Sequence, residues 1–174
     1  NMETERLQPG ESWSLEGGYG SYATNKQHVS WKSDLVGERW VFGAELSRIE
    51  SDGYRDRSWT DMAMGFFTAQ RFGEESVTRI NVYGGYENTH LAYFGLTREQ
   101  LRQDRRQNPL PSGTEDTFTQ PHVDLIHEWK PNESWRVNNT LYAFYGRGYY
   151  DQSDASLSLA ALNLAEPGSG EFAS

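Results

Sequence analysis

Apolar and polar positions alternate along most of this chain. In SWSLEGGYGSY, Trp13, Leu15 and Tyr19 fall on one face, with Ser14, Glu16 and Gly18 on the other. QHVSWKSDLV sets Val29, Trp31 and Leu35 against His28, Ser30, Lys32 and Asp34. RWVFGAELSRI groups Trp40, Phe42, Ala44 and Leu46 opposite Gly43, Glu45 and Ser47. SVTRINVYGGYE opposes Ile80, Val82 and Tyr86 to Arg79, Asn81 and Glu87. PHVDLIHEWK opposes Val123, Leu125 and Trp129 to His122, Asp124 and Glu128. SWRVNNTLYAFY opposes Trp135, Val137, Leu141 and Ala143 to Arg136, Asn138, Thr140 and Tyr142. DMAMGFFTAQRF is apolar on both faces, which leaves its register open. A period of two belongs to strands, whose side chains point alternately to opposite faces. The pattern predicts an all-β fold, about seven strands in an antiparallel up-and-down meander.

The connections alternate in length. VGER, FGEES and KPNES are tight turns carrying Gly, Pro or Asn, and the first hairpin turn, ATNK, is also brief. Between them lie ESDGYRDRSWTD and a polar stretch from Asn88 to about Thr117. Tight turns at one end and long loops at the other are the habit of outer-membrane barrels. Trp40, Phe72, Trp129 and Trp135 sit beside the tight turns, and Tyr22, Tyr86, Tyr145 and Tyr149 lie toward the opposite ends. Aromatic rings at both strand ends suit the two headgroup layers of a membrane. The same alternation also fits a soluble β-sandwich with its polar face in water. Strand length favours the barrel, since these runs approach the 9 to 11 residues, roughly, that cross a bilayer at a tilt.

Composition narrows the classes. The chain has 174 residues, a net charge of -9, 14% aromatic residues and no cysteine. The acidic balance argues against nucleic acid, which requires a basic stripe. Disulfides and thiolate metal sites are excluded. No apolar run approaches the roughly 18 residues of a membrane helix, a test that barrel strands do not meet either.

Several segments together resemble the TonB-dependent outer-membrane receptors. NMETE is similar to the last plug strand of that family, and GYGSYATNKQHVSW to its first barrel hairpin. ELSRIESDGYRDRSW resembles its third strand running into a surface loop, and NVYGGYENTHLAYFGL the strand and loop that follow. WRVNNTLYAFYGRGYYDQ resembles a later strand ending in Gly-x-Gly-Tyr-Tyr. The resemblance implies a plug-to-barrel junction over residues 1–10, barrel strands over 11–150 and a truncated surface loop over 151–174. The chain would then be an arc of a wall of roughly 22 strands. Location in the bacterial outer membrane follows, with lipid and lipopolysaccharide around the barrel. The plug and the segment that contacts TonB would come from parts of the receptor outside these residues. The implied function is energy-coupled uptake of a bulky nutrient, a ferric siderophore first, with cobalamin or an oligosaccharide as alternatives. The membrane-interface aromatics would be Trp13, Trp40, Phe72, Trp129, Trp135, Tyr145 and Tyr149. LSLAALNLA, near the C-terminal end, is expected as a short helix. A rival from another class is a soluble or surface-attached β-domain that binds carbohydrate through its aromatics.

Candidate chemistry is sparse. His28, His90, His122 and His127 are scattered, and His122 and His127, five apart on a strand, face opposite ways. No Ser/His/Asp order or nucleophile elbow stands out, so no enzymatic activity, cofactor or metal is expected. GRGYYDQ lacks the Lys-Ser/Thr pair and the following helix of a phosphate loop. NTHLAYFGLTREQLRQDRRQNP is the most informative loop. One reading makes it a ligand trap for a small-molecule chelate or other nutrient, with His90, Tyr93 and Phe94 stacking while Arg98, Arg102, Arg105 and Arg106 grip an anionic group. The other pairs these arginines with nearby acids or lipopolysaccharide phosphates, with LTREQLRQ forming one or two helical turns. Glu45, Arg79, Asn81, Glu87, Arg136 and Asn138 share the polar face and would hold the plug or line the path of the cargo.

Overall fold

The computed structural model describes residues 7–151. NMETE, residues 152–174 and the expected helix in LSLAALNLA lie outside the described residues. The strands of the described residues belong to one antiparallel sheet: β1 (Ser12–Tyr19), β2 (Asn25–Lys32), β3 (Trp40–Ser51), β4 (Thr60–Phe72), β5 (Ser76–Thr89), β6 (Glu115–Thr119), β7 (His122–Asn132), β8 (Trp135–Phe144) and β9 (Arg147–Asp151). Among the described residues one short helix, α1 (Arg98–Gln103), lies between β5 and β6.

The nine strands make seven ribbons. β6 and β7 both pair with β5, and the register is the same on either side of the gap, Tyr83↔His122 and Tyr86↔Thr119. β8 and β9 continue one another along β7 and β6 in the same manner, His122↔Phe144 and Thr119↔Arg147. The interruption falls at Gln120–Pro121 and, across from it, at Tyr145–Gly146. Proline has no amide hydrogen to give a ladder. The Pro121 carbonyl still accepts from the Tyr145 amide at 3.1 Å. On the other flank Gly84 makes the approach possible, because a Cβ there would lie 2.8 Å from the Pro121 Cα. Glu115–Thr119, expected as loop up to about Thr117, is therefore strand, and that loop shortens to residues 90–114.

The register settles the faces. Trp13, Leu15, Val29, Trp31, Trp40, Phe42, Leu46, Phe67, Ile80, Val82, Val123, Leu125, Leu141 and Tyr145 share one face. The ambiguous strand β4 puts Phe67 and Ala69 there, and Met62, Met64, Phe66, Thr68 and Gln70 on the other. Phe72 pairs with Val77 and falls on that second, polar face, unlike the other six aromatics expected at an interface.

Burial runs opposite to that of a water-soluble core. The buried side chains include Thr68, Gln70, Arg79 and Asn81, all on the polar face, whereas Leu15 is 85% exposed, Leu46 61% and Leu141 68%. Among the described residues no second layer covers the apolar face. Leu7 lies against the polar face: its carbonyl accepts from Gln70 Nε2 at 2.9 Å. Gly43 makes room for the Leu7 side chain, which would stand 3.5 Å from a Cβ at that position.

Turns form as their backbone demands. Gly37 and Glu38 both have positive φ, as do Tyr22 and Ala23, giving two-residue hairpin turns of the kind that match strand twist. The turn at Gly37 and Glu38, with residues 73–75 and 133–134, makes a turn end of the sheet, opposite a loop end to which residues 52–59 and 90–114 belong. The Ser21–Thr24 turn joins them, since the Tyr22 carbonyl accepts from the Asp52 amide at 2.9 Å.

Candidate functional site

The loop end is built around Arg55 and Arg57, which no pattern in the sequence singles out. Gly53 adopts φ +74, and a Cβ there would collide with the Ser58 carbonyl, so residues 52–58 fold back tightly. That turn aims Arg55 and Arg57 across the sheet at the long loop. Arg55 donates to the carbonyls of Gln107 (3.0 Å), Ala92 (3.0 Å) and Phe94 (2.8 Å). Arg57 donates to the carbonyls of Asn108 (2.7 Å) and Leu110 (3.1 Å). In return the Asn108 amide donates to the carbonyls of Arg57 and Leu91. Charged donors to backbone carbonyls are among the stronger hydrogen bonds, and these close the loop over buried Leu110 and Thr114.

His90 belongs to this clasp and not to an open ligand surface. It is 2% exposed, its Nε2 donates to the Pro111 carbonyl at 2.8 Å, and its amide bonds to the Trp59 carbonyl. Burial takes its ring away from any ligand above the loop. Tyr93 and Phe94 are exposed and meet edge to face at 5.9 Å. Arg98, Arg102, Arg105 and Arg106 are all exposed. Two of them have acidic neighbours: Arg102 with Glu99 at 3.9 Å and Arg106 with Asp56 at 3.7 Å. Arg106 also lies 5.9 Å over the Tyr22 ring, which packs on Tyr54. Tyr22, expected in the upper aromatic band, is thus part of the loop layer. The helix in this loop forms as expected, with Thr97 and Gln100 closing a reciprocal capping box.

The apolar face carries two rows of aromatics. Trp13, Trp31, Trp40, Trp129 and Trp135 gather toward the turn end, with Trp13 on Trp31 at 5.9 Å and Trp40 stacked on Phe42 at 6.0 Å. Tyr19, Tyr86, Tyr145 and Tyr149 lie toward the loop end of the same face. Just beyond them Arg48 pairs with Asp61 at 3.2 Å and with Glu50 at 2.7 Å, and the Tyr86 hydroxyl donates to Asp61.

The polar face carries a ladder of rings. Phe66, Tyr83, His122 and Phe144 are direct cross-strand partners, with centroids 5.9, 4.7 and 5.6 Å apart in succession. Such pairs stabilise a sheet where its backbone ladder weakens, and this row borders the interruption at Gln120–Pro121. His127 points the other way, 2.8 Å from Thr78 Oγ1, as the five-residue spacing required. Among the described residues no group of three or more His, Asp or Glu could hold a metal ion. Comparison with family profiles, with curated proteins and with solved structures found no match.

Proposed function

We propose that this sheet is an arc of a transmembrane β-barrel in a bacterial outer membrane, part of an energy-coupled receptor of the TonB-dependent kind. The inverted burial carries the reading: large apolar side chains stand uncovered while the polar face is packed. On β5 the apolar-face stretch from Thr78 to Asn88 covers about 33 Å of strand at 3.3 Å per residue. Tilted by roughly 40°, that is about 25 Å of height, the thickness of a barrel's lipid-facing band. Its borders suit the two headgroup layers, tryptophans below and tyrosines above. A soluble carbohydrate-binding domain needs a second layer over these residues, and the described residues form one sheet.

The cargo is a bulky nutrient, with a ferric siderophore the first to test. Tyr93, Phe94 and the exposed arginines of residues 90–114 meet it, or meet lipopolysaccharide phosphates, at the outer surface. Glu45, Glu87 and Asn138 face the lumen with the buried Arg79 and Asn81. The segment at Leu7 enters β1 from that same side, as a chain leaving a lumenal plug would. The plug and TonB contacts are made by other parts of the receptor, and no covalent step is involved.

Single cysteines test the reading cleanly, because the chain has none of its own. In the full receptor, spin labels at Leu46, Val82 and Leu141 should be relaxed by oxygen and shielded from a water-soluble nickel chelate. Labels at Glu45 and Asn138 should not share that lipid signature. Equal water access at both sets would end the proposal.

A further inference from the structure

A trough of about 910 Å³ opens on the polar face, toward the loop end. Its floor includes Gly85 and Gln120, at the level where strand pairing is interrupted. Tyr83 and His122 of the ring ladder form one side, with Phe118 and Met64 also lining it. The planes of Tyr83 and His122 differ by 6° and their centroids are 4.7 Å apart, about the strand spacing, so the rings stand on edge from the sheet. Met64 and Phe118 are 52% and 42% exposed, so this apolar surface is open. Nearer the turn end the same face is already occupied, by Leu7 against Gly43 and Gln70.

The charges decide what fits. On the polar face the trough is lined by the carboxylates of Glu16 and Glu87 and by one ammonium, Lys26. Arg48 also borders it, but is held by Asp61 and Glu50. There is no cationic surplus to grip a polyanion. Gln120 and Ser47 offer neutral hydrogen-bonding groups beside the rings and the thioether.

We infer that this trough is a binding station for an uncharged cargo that pairs apolar faces with hydroxyl or amide groups. It rests on the proposed transport reading only in that the polar face lines the path of the cargo. Two sources share the chemistry, a neutral oligosaccharide and a neutral ferric trihydroxamate. The loop-end arginines would then meet lipopolysaccharide phosphates, and the trough the cargo.

The experiment uses the full receptor in lipid vesicles and three probes: a neutral maltooligosaccharide, a neutral ferric trihydroxamate and an anionic ferric tricatecholate. One neutral probe should bind, and its affinity should fall about tenfold or more in both Gln120→Ala and Met64→Trp, the second filling open space rather than disturbing the sheet. A Met64→Cys thiol should react with a water-soluble maleimide at rest and be protected by that probe. Binding by neither neutral probe, preference for the tricatecholate, indifference to the two variants, or a thiol shielded before cargo is added would each overturn the inference. The spin-label pattern at Leu46 and Val82 decides the membrane reading separately, so the trough can fail while the barrel stands.

Discussion

Placing a charge in the middle of the apolar band separates a lipid-facing wall from an exposed face in water. Val82 is the site of choice: it is 44% exposed, its apolar-face neighbours are Phe67 and Val123, and it stands between Thr78 at the turn end and Asn88 at the loop end. Four residues from Thr78 is about 13 Å of strand, or roughly 10 Å of height at a barrel's tilt. That puts the side chain close to the midplane. Arginine there should cost about 2–4 kcal/mol, against about 0–1 kcal/mol near a headgroup layer. Asn139, exposed on the same face near the turn end, supplies the second case. The assay is a denaturant titration of the full receptor folded into lipid vesicles, comparing Val82→Arg and Asn139→Arg with the unmodified protein. In water an exposed Val→Arg change stays within about 0.5 kcal/mol. A Val82→Arg variant that close to the parent, or one no worse than Asn139→Arg, would refute the lipid-facing assignment.

Two further outcomes follow from the clasp at the loop end. Arg55→Ala removes the donor to three backbone carbonyls and should loosen residues 90–114 by about 2 kcal/mol. Limited trypsin digestion would then cut at Arg98 or Arg102 sooner than in the parent, while the melting of the sheet is unchanged. Equal digestion rates would show that the loop is held by other means. Gly53→Ala should act on the same loops by a different route, forcing a Cβ into the Ser58 carbonyl, and should raise hydrogen exchange at the Asp52 and Asp56 amides. Unchanged exchange there would refute the claim that the tight turn aims Arg55 and Arg57.

The faces of the sheet were legible because one residue decides each position: Val82 and Asn81 cannot exchange sides without reversing the whole strand. β4 was not, since Met64, Phe66 and Phe67 are apolar on both sides, and only the pairing of Phe67 with Ala44 and Val82 distinguishes them. The break at Pro121 had no such signal: the polar stretch before it, to about Thr117, reads as loop, and the alternating run begins at Pro121 itself. His90 and the exposed aromatics beside it look alike in sequence. What separates them is the Pro111 carbonyl, 21 residues further along, and no local pattern encodes such a contact. The same holds for Arg55 and Arg57, whose partners lie 37 to 53 residues away.

The dropped stitch at Gln120–Pro121 has one more consequence. Hydrocarbon can satisfy no peptide group, so a wall standing in lipid would have to mend such a gap with its own side chains or from its polar side. Part of the repair is made within the apolar face itself, where Thr119, beside Tyr86, donates its hydroxyl to the Gly85 carbonyl at 2.8 Å. In the proposed barrel any amide or carbonyl left over at this height would have only water to turn to, which would make the flaw in the weave a reason for the interior to stay wet there.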